Sequence, residues 1–195
     1  MNRTSQIDRL RSSNRLPRIL LVLAATLAHT ASAQASRQVR PSDVFLAQHP
    51  QPTSYLTDAA DMVSATDERF LEVELYRLEC RYGAQMGVVT VATTGTQPIE
   101  EFSLAVASRW RFGRATHNDG VILVIARDDR RLRIEIGTGL EKTMPEKWLA
   151  DDPIAAARDQ LRKGDAAEAI AQAIKRVESR LPRLEKDTCK PPRLP

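Results

Sequence analysis

Three aspartates are the first residues in this 195-residue chain whose type and setting could do chemistry. Asp128 and Asp129 stand side by side after the apolar run Gly120–Ala126, and Asp58 precedes a helical stretch. Clustered carboxylates on loops suit a hard, oxygen-seeking cation, Ca²⁺ or Mg²⁺. Beside them Arg130 has the planar fork that takes a phosphate through two parallel hydrogen bonds. Thr93-Thr94-Gly95-Thr96 leads into a helix start, so the loop at Gly95 offers backbone N–H groups to an anion. Each residue also has a plainer role. Asp128-Asp129 is turn chemistry, Asp58 is a cap, and Arg130 is an exposed hairpin arginine. The Gly95 loop lacks Walker and Rossmann spacing. Residue types alone leave both readings open.

Other reaction classes are excluded more firmly. No G-x-S-x-G elbow occurs. Three histidines, of which only His49 and His117 lie beyond residue 33, make neither a triad nor a His-rich zinc site. Two cysteines exclude a Cys-based zinc module and a disulfide scaffold. His117-Asn118-Asp119-Gly120 reads as an Asx turn aiming the strand that follows. Arg109, Arg111 and Arg114 around Trp110 read as a solvated helix end with one buried indole. Asp151-Asp152-Pro153 reads as a helix start, cap then proline.

The elements that must position these residues follow from periodicity. Leu71, Leu75, Leu78 and Tyr82 form one face of a helix over 66–82, with Thr66 or Asp67 as cap and Gly83 as stop. Residues 86–92 are a buried, β-branched strand. Pro98 opens a helix to Trp110. Residues 120–126 are a second strand covered on both faces, and 131–136 alternate strictly, so the two form a hairpin with one wet face. Helices follow over 153–163 and 165–181. A strand–helix–strand unit implies a parallel pair with a right-handed crossover. The expected fold is α/β, a single three-layer α/β/α domain whose small mixed sheet combines a parallel pair with an antiparallel edge hairpin. Asp58, Asp128 and Asp129 then emerge at the carboxyl edge of the strands, where open α/β sheets hold ligands.

Cys80 lies about 180° from the Leu71 stripe, at 100° per residue, and faces away from it. An outward cysteine can meet one on the tail, so a Cys80–Cys189 bond is expected; two free thiols are the alternative. The N-terminus carries five arginines, then the apolar run Ile19–Ala28, then Ala31-Ser32-Ala33. That pattern predicts a secretory signal over 1–33 cleaved near Ala33, and a periplasmic or secreted protein. A retained anchor is the alternative, although the run is short against the roughly 20 residues a span needs. Beyond residue 33 stand 24 basic and 24 acidic residues, so the apparent pI of 9.3 belongs to the leader. A neutral chain gives no electrostatic case for nucleic acid. Residues 34–54 read as a Pro-punctuated arm, 55–181 as the domain, and 182–195 as a Pro-rich tail.

The ordered residues resemble the TPM-domain family, whose members include a plant thylakoid-lumen protein described as an acid phosphatase. The resemblance runs from Tyr55-Leu56-Thr57-Asp58 through Tyr82-Gly83-Ala84-Gln85, Val88–Val91, Ile99–Phe102 and Trp110–Gly113. Its most specific part is Asn118–Leu123, Asp129-Arg130, Arg133–Gly137 and Gly139-Leu140-Glu141. The resemblance implies a compact exported α/β/α domain, with a divalent-cation site in some members and phosphatase activity in a few. Carried over, it makes Asp58, Asp128 and Asp129 metal-site candidates. Thr138 stands where the family often has an aromatic residue, and Lys142 where it often has glycine. The function expected is a non-catalytic accessory module of the cell envelope with a protein partner; a low-specificity metal-dependent phosphatase is the alternative.

Overall fold

The structure, a computed structural model, describes residues 39–184 and Cys189. The expected signal segment and most of the Pro-rich tail lie outside the described residues. Four strands form one open mixed sheet in the order β1 (Leu56–Asp58), β2 (Met86–Val91), β3 (Val121–Ala126), β4 (Arg131–Ile136). β1, β2 and β3 run parallel, with Asp58 opposite Thr90 and Val91 opposite Ala126. β4 returns antiparallel, with Ala126 opposite Arg131. This is the expected α/β fold, with one more strand than the periodicity indicates.

β2 and β3 are buried along their whole length because helices cover both faces. On one side, α2 (Ala65–Tyr82) and α6 (Ala166–Glu178) pack Leu71, Leu75, Leu78, Ile170 and Ile174 onto Met86, Val88, Leu123 and Ile125. On the other, α1 (Pro41–Gln48) and α3 (Ile99–Trp110) pack Phe45, Phe102, Val106 and Trp110 onto Val89, Val91, Ile122 and Val124. Alternate residues of each central strand therefore feed opposite cores. Both crossovers step the same way across the sheet, yet α2 and α3 cover opposite faces. They must be of opposite hand, so one is the uncommon left-handed kind.

Several local readings change. α1 forms within a stretch that shows no apolar period, because few residues dock it: Phe45, whose ring lies 5.7 Å from Trp110, with Leu46 beside it and the buried Ser42 donating its N–H to Gln97. Trp110 is buried as expected and donates its indole N–H to the His49 carbonyl at 3.0 Å. Three-residue β1 is held by Glu72 of α2, which accepts from the backbone N–H of Tyr55 at 3.2 Å and of Leu56 at 2.6 Å. The α2 cap is Ser64 rather than Thr66 or Asp67, and its hydroxyl accepts from the Asp67 N–H. Pro153 does not open a helix. The chain is already helical from α4 (Glu146–Leu149) and passes through a π-turn, Ala150–Ile154, into α5 (Ala155–Arg162). A wider turn is how a helix accommodates a residue with no N–H to give. The polar face of β4 is half covered, because Ser103 of α3 donates to Glu135 at 2.8 Å.

Cys80 and Cys189 are disulfide-bonded, with Cα atoms 5.0 Å apart and a sequence separation of 109. The bond ties the tail to α2, as the position of Cys80 on that helix predicts.

Candidate functional site

The carboxyl edge of the sheet gathers the residues singled out above, and the strand ends explain how. The carbonyls of Val91 and Ala92, just past β2, accept from the N–H groups of Arg127 at 3.0 Å and Asp128 at 2.8 Å. On the other side, Thr90 accepts from Ala59 through its carbonyl at 3.2 Å and from Ala60 through its hydroxyl at 3.0 Å. The end of β2 thus anchors both flanking loops.

Asp58 closes the loop that follows β1. Its Oδ2 accepts from the Met62 and Val63 N–H groups at 2.8 Å each, and the buried Thr90 hydroxyl donates to its Oδ1. Asp129 closes the opposite loop. Thr93 Oγ1 donates to it at 2.6 Å, the Thr94 N–H at 2.7 Å and Thr94 Oγ1 at 3.0 Å. Those donors, the Thr93 hydroxyl first, hold the Asp129 carboxyl below its ordinary value. The loop at Gly95 therefore does bind an anion, and the anion is the protein's own carboxylate. The Gly95 N–H itself goes to Thr93 Oγ1 at 2.8 Å. Asp128 points to solvent and pairs with Arg127 at 2.9 Å. Arg127 also donates to the Ala60 carbonyl, bridging the two loops.

The three aspartates share an edge without sharing a site. Each carboxylate faces its own partners, and no group of three or more His, Cys, Asp or Glu able to hold a metal ion occurs among the described residues. A hard cation needs several oxygens turned toward one point. Here the oxygens of Asp58 and Asp129 are turned toward N–H and O–H donors, and Asp128 toward Arg127.

Beside this edge lies a feature that spacing did not reveal. A cleft of about 780 Å³ opens between the β3–β4 turn and helix α5. Arg127, Arg130 and Arg131 line it from the turn, and Arg158 and Arg162 from the helix. The signal was present as Arg158 and Arg162 at i and i+4, one face of α5. What the sequence hid was that this face meets the hairpin. Arg130 ends the four-residue turn with φ +54°, a left-handed conformation that costs a residue with a Cβ.

The opposite edge is structural. Asp119 is buried and accepts from the Arg114 N–H at 2.7 Å and Nε at 2.8 Å. Gly120 lies so close to Phe112 that a Cβ would sit 1.8 Å from its carbonyl oxygen. Asn118-Asp119-Gly120 thus seats the strand entry, as the turn reading expects.

Among the described residues no helix is long and apolar enough to cross a membrane. The TPM domain matches residues 56–180. No curated protein matches the chain. Among solved structures, the N-terminal domain of a protein from P. gingivalis is 30% identical, with a TM-score of 0.61 over 72% of this chain and 89% of that one. The N-terminal domain of the cg2496 protein from Corynebacterium glutamicum is 18% identical, TM-score 0.51, over 65% and 79%. The BA42 protein from the psychrophilic bacterium Bizionia argentinensis is 14% identical, TM-score 0.55, over 66% and 90%. The last two likenesses are of fold alone. With residues 56–180, well over half of the sequence, matched to the TPM domain, this chain belongs to the TPM-domain family.

Proposed function

We propose that the chain is an exported, non-catalytic accessory module of the cell envelope, which presents its domain to a protein partner. The observation that carries this reading is the engagement of Asp58 and Asp129. Asp58 accepts from its own loop and from β2, and Asp129 from the loop after β2, so the two fix the sheet edge. A general base needs a free lone pair aimed at the substrate's proton; the fold engages all four acceptor positions of Asp58 and three of the four of Asp129. Export is supported by the leader pattern and by the Cys80–Cys189 bond, which suits an oxidising compartment.

The alternative, a low-specificity phosphatase, has one observation in its favour: arginines stand next to the acidic edge, with Arg130 between the cleft and Asp129. A divalent cation at Asp58, Asp128 and Asp129 would require those carboxylates to release their present donors. Turnover of an aryl phosphate, with and without Ca²⁺ or Mg²⁺, separates the readings. The accessory reading expects no turnover above that of Asp129→Asn. Turnover abolished by that substitution, with a cation-induced rise in melting temperature that Asp58→Asn removes, would establish the phosphatase instead.

A further inference from the structure

From the arginine-lined cleft we infer a second, small-molecule site that takes an organic diphosphate: two linked phosphoryl groups on the arginine rim and an apolar portion on the floor. The inference goes beyond the accessory reading and does not depend on it.

Volume comes first. At about 780 Å³ the cleft falls within the roughly 300–1,000 Å³ of ligand sites, far more than a lone phosphate fills. Charge comes next. Arg127 is paired with Asp128 at 2.9 Å and lies near Asp61, and Arg162 is paired with Asp159 at 3.2 Å. Arg130, Arg131 and Arg158 have no salt bridge among the described residues, although Arg131 lies in the field of Asp129. Even with Arg131 partly balanced, that surplus exceeds the charge of about −1.5 to −2 on a monophosphate ester. A linked pair of phosphates meets it. Geometry adds a third argument. The guanidiniums come from two walls, turn and helix, so a ligand bridging them needs two anionic ends, each matched to a fork. Arg130 is held there in a left-handed conformation at a cost to the fold, the kind of local strain that collects at ligand sites. The floor is apolar: Met62, Ile125, Leu132, Leu161 and Ala166. Ile125, Leu132 and Ala166 are buried behind it, so a ligand that also carries an apolar group would cover the half-buried Met62 and Leu161.

Calorimetric titration of the purified chain with geranyl diphosphate, geranyl monophosphate, inorganic pyrophosphate and geraniol tests the inference. The expected order is geranyl diphosphate tightest, pyrophosphate and monophosphate weaker, geraniol without measurable heat. Arg158→Gln should weaken geranyl diphosphate by about tenfold or more, the loss of a charge-assisted bond. Arg130→Gly should weaken it similarly while melting no lower than wild type, which separates lost binding from lost folding. Arg109→Gln, on α3 away from the cleft, should bind as wild type. Equal affinity for mono- and diphosphate, binding of geraniol alone, or unchanged affinity in both cleft variants would overturn the inference. Pyrophosphate binding as tightly as geranyl diphosphate would remove the apolar floor from it.

Discussion

Asp129 receives three donors from Thr93 and Thr94, and all three favour its ionised form. Its folded pKa lies below the ordinary value, so its contribution to stability is complete above pH of about 4 and is lost as pH falls through the lower folded value. Wild type should therefore lose unfolding free energy as the pH falls through that range. Asp129→Asn, followed by urea unfolding between pH 7 and pH 3, should be less stable at neutral pH and flatter on the acid side; parallel curves would assign the acid loss elsewhere. Arg130 allows an opposite kind of prediction. Glycine has no Cβ to clash at φ +54°, so Arg130→Gly should gain about 1 kcal/mol in the same assay. At this scale the sequence was legible in part. Strand polarity was enough to put Asp58 and Asp129 on one edge. The Met62 and Val63 donors of Asp58 are local, as its cap reading implies, but Thr90 at 32 residues' distance from Asp58 and Thr93 at 36 from Asp129 come from other elements, and no local spacing encodes such partners.

The disulfide belongs to the scale of elements. It closes a loop of 109 residues between α2 and the tail. Closing so long a loop restricts the unfolded chain by about 4.7 kcal/mol in the entropic account, with about 2–5 kcal/mol typical when a native bond is removed. Part of the C-terminal seating survives without it, because Arg81 pairs with Glu178 at 3.1 Å and the Leu184 N–H reaches the Arg81 carbonyl at 2.9 Å. Cys80→Ser with Cys189→Ser should therefore lower the denaturation midpoint by an amount at the lower end of that range, with the α/β circular dichroism kept. Loss of the fold would mean the bond is required for it. Helical periodicity made α2 and α6 legible, Pro98 marked the start of α3, and apolar runs made β2 and β3 legible. β1 was not, since three residues carry no alternation and its place depends on Glu72 of another element. Neither was α1, which docks through Phe45, Leu46 and Ser42 without an apolar period, nor the π-turn, which absorbs a proline that otherwise signals a helix start.

For the molecule as a whole, the two cores on opposite sheet faces need a tie, and the amino edge supplies one. Tyr55, ahead of β1, donates its phenol to Glu79 of α2. Glu79 also accepts from Gln85 Nε2 at 2.8 Å, and Gln85 Oε1 accepts from the Gly113 N–H at 2.9 Å, just past α3. The chain of bonds passes from the helix on one face to the end of the helix on the other. Its first proton is titratable. Burial first, then the bond to Glu79, pushes the Tyr55 phenol well above its ordinary value. A raised pKa means the stabilisation is complete below the unfolded tyrosine value of about 10 and is lost as pH rises beyond it. Tyr82, raised by burial and by Glu178, adds to the same alkaline loss. Tyr55→Phe should cost about 1.5–3 kcal/mol at pH 7, the range for a hydrogen bond to a charged group. It should also flatten the fall in stability between pH 9 and pH 11, leaving the smaller slope due to Tyr82. An unchanged alkaline slope would show that the Tyr55 proton does not link the two faces, and that each core holds its side of the sheet alone.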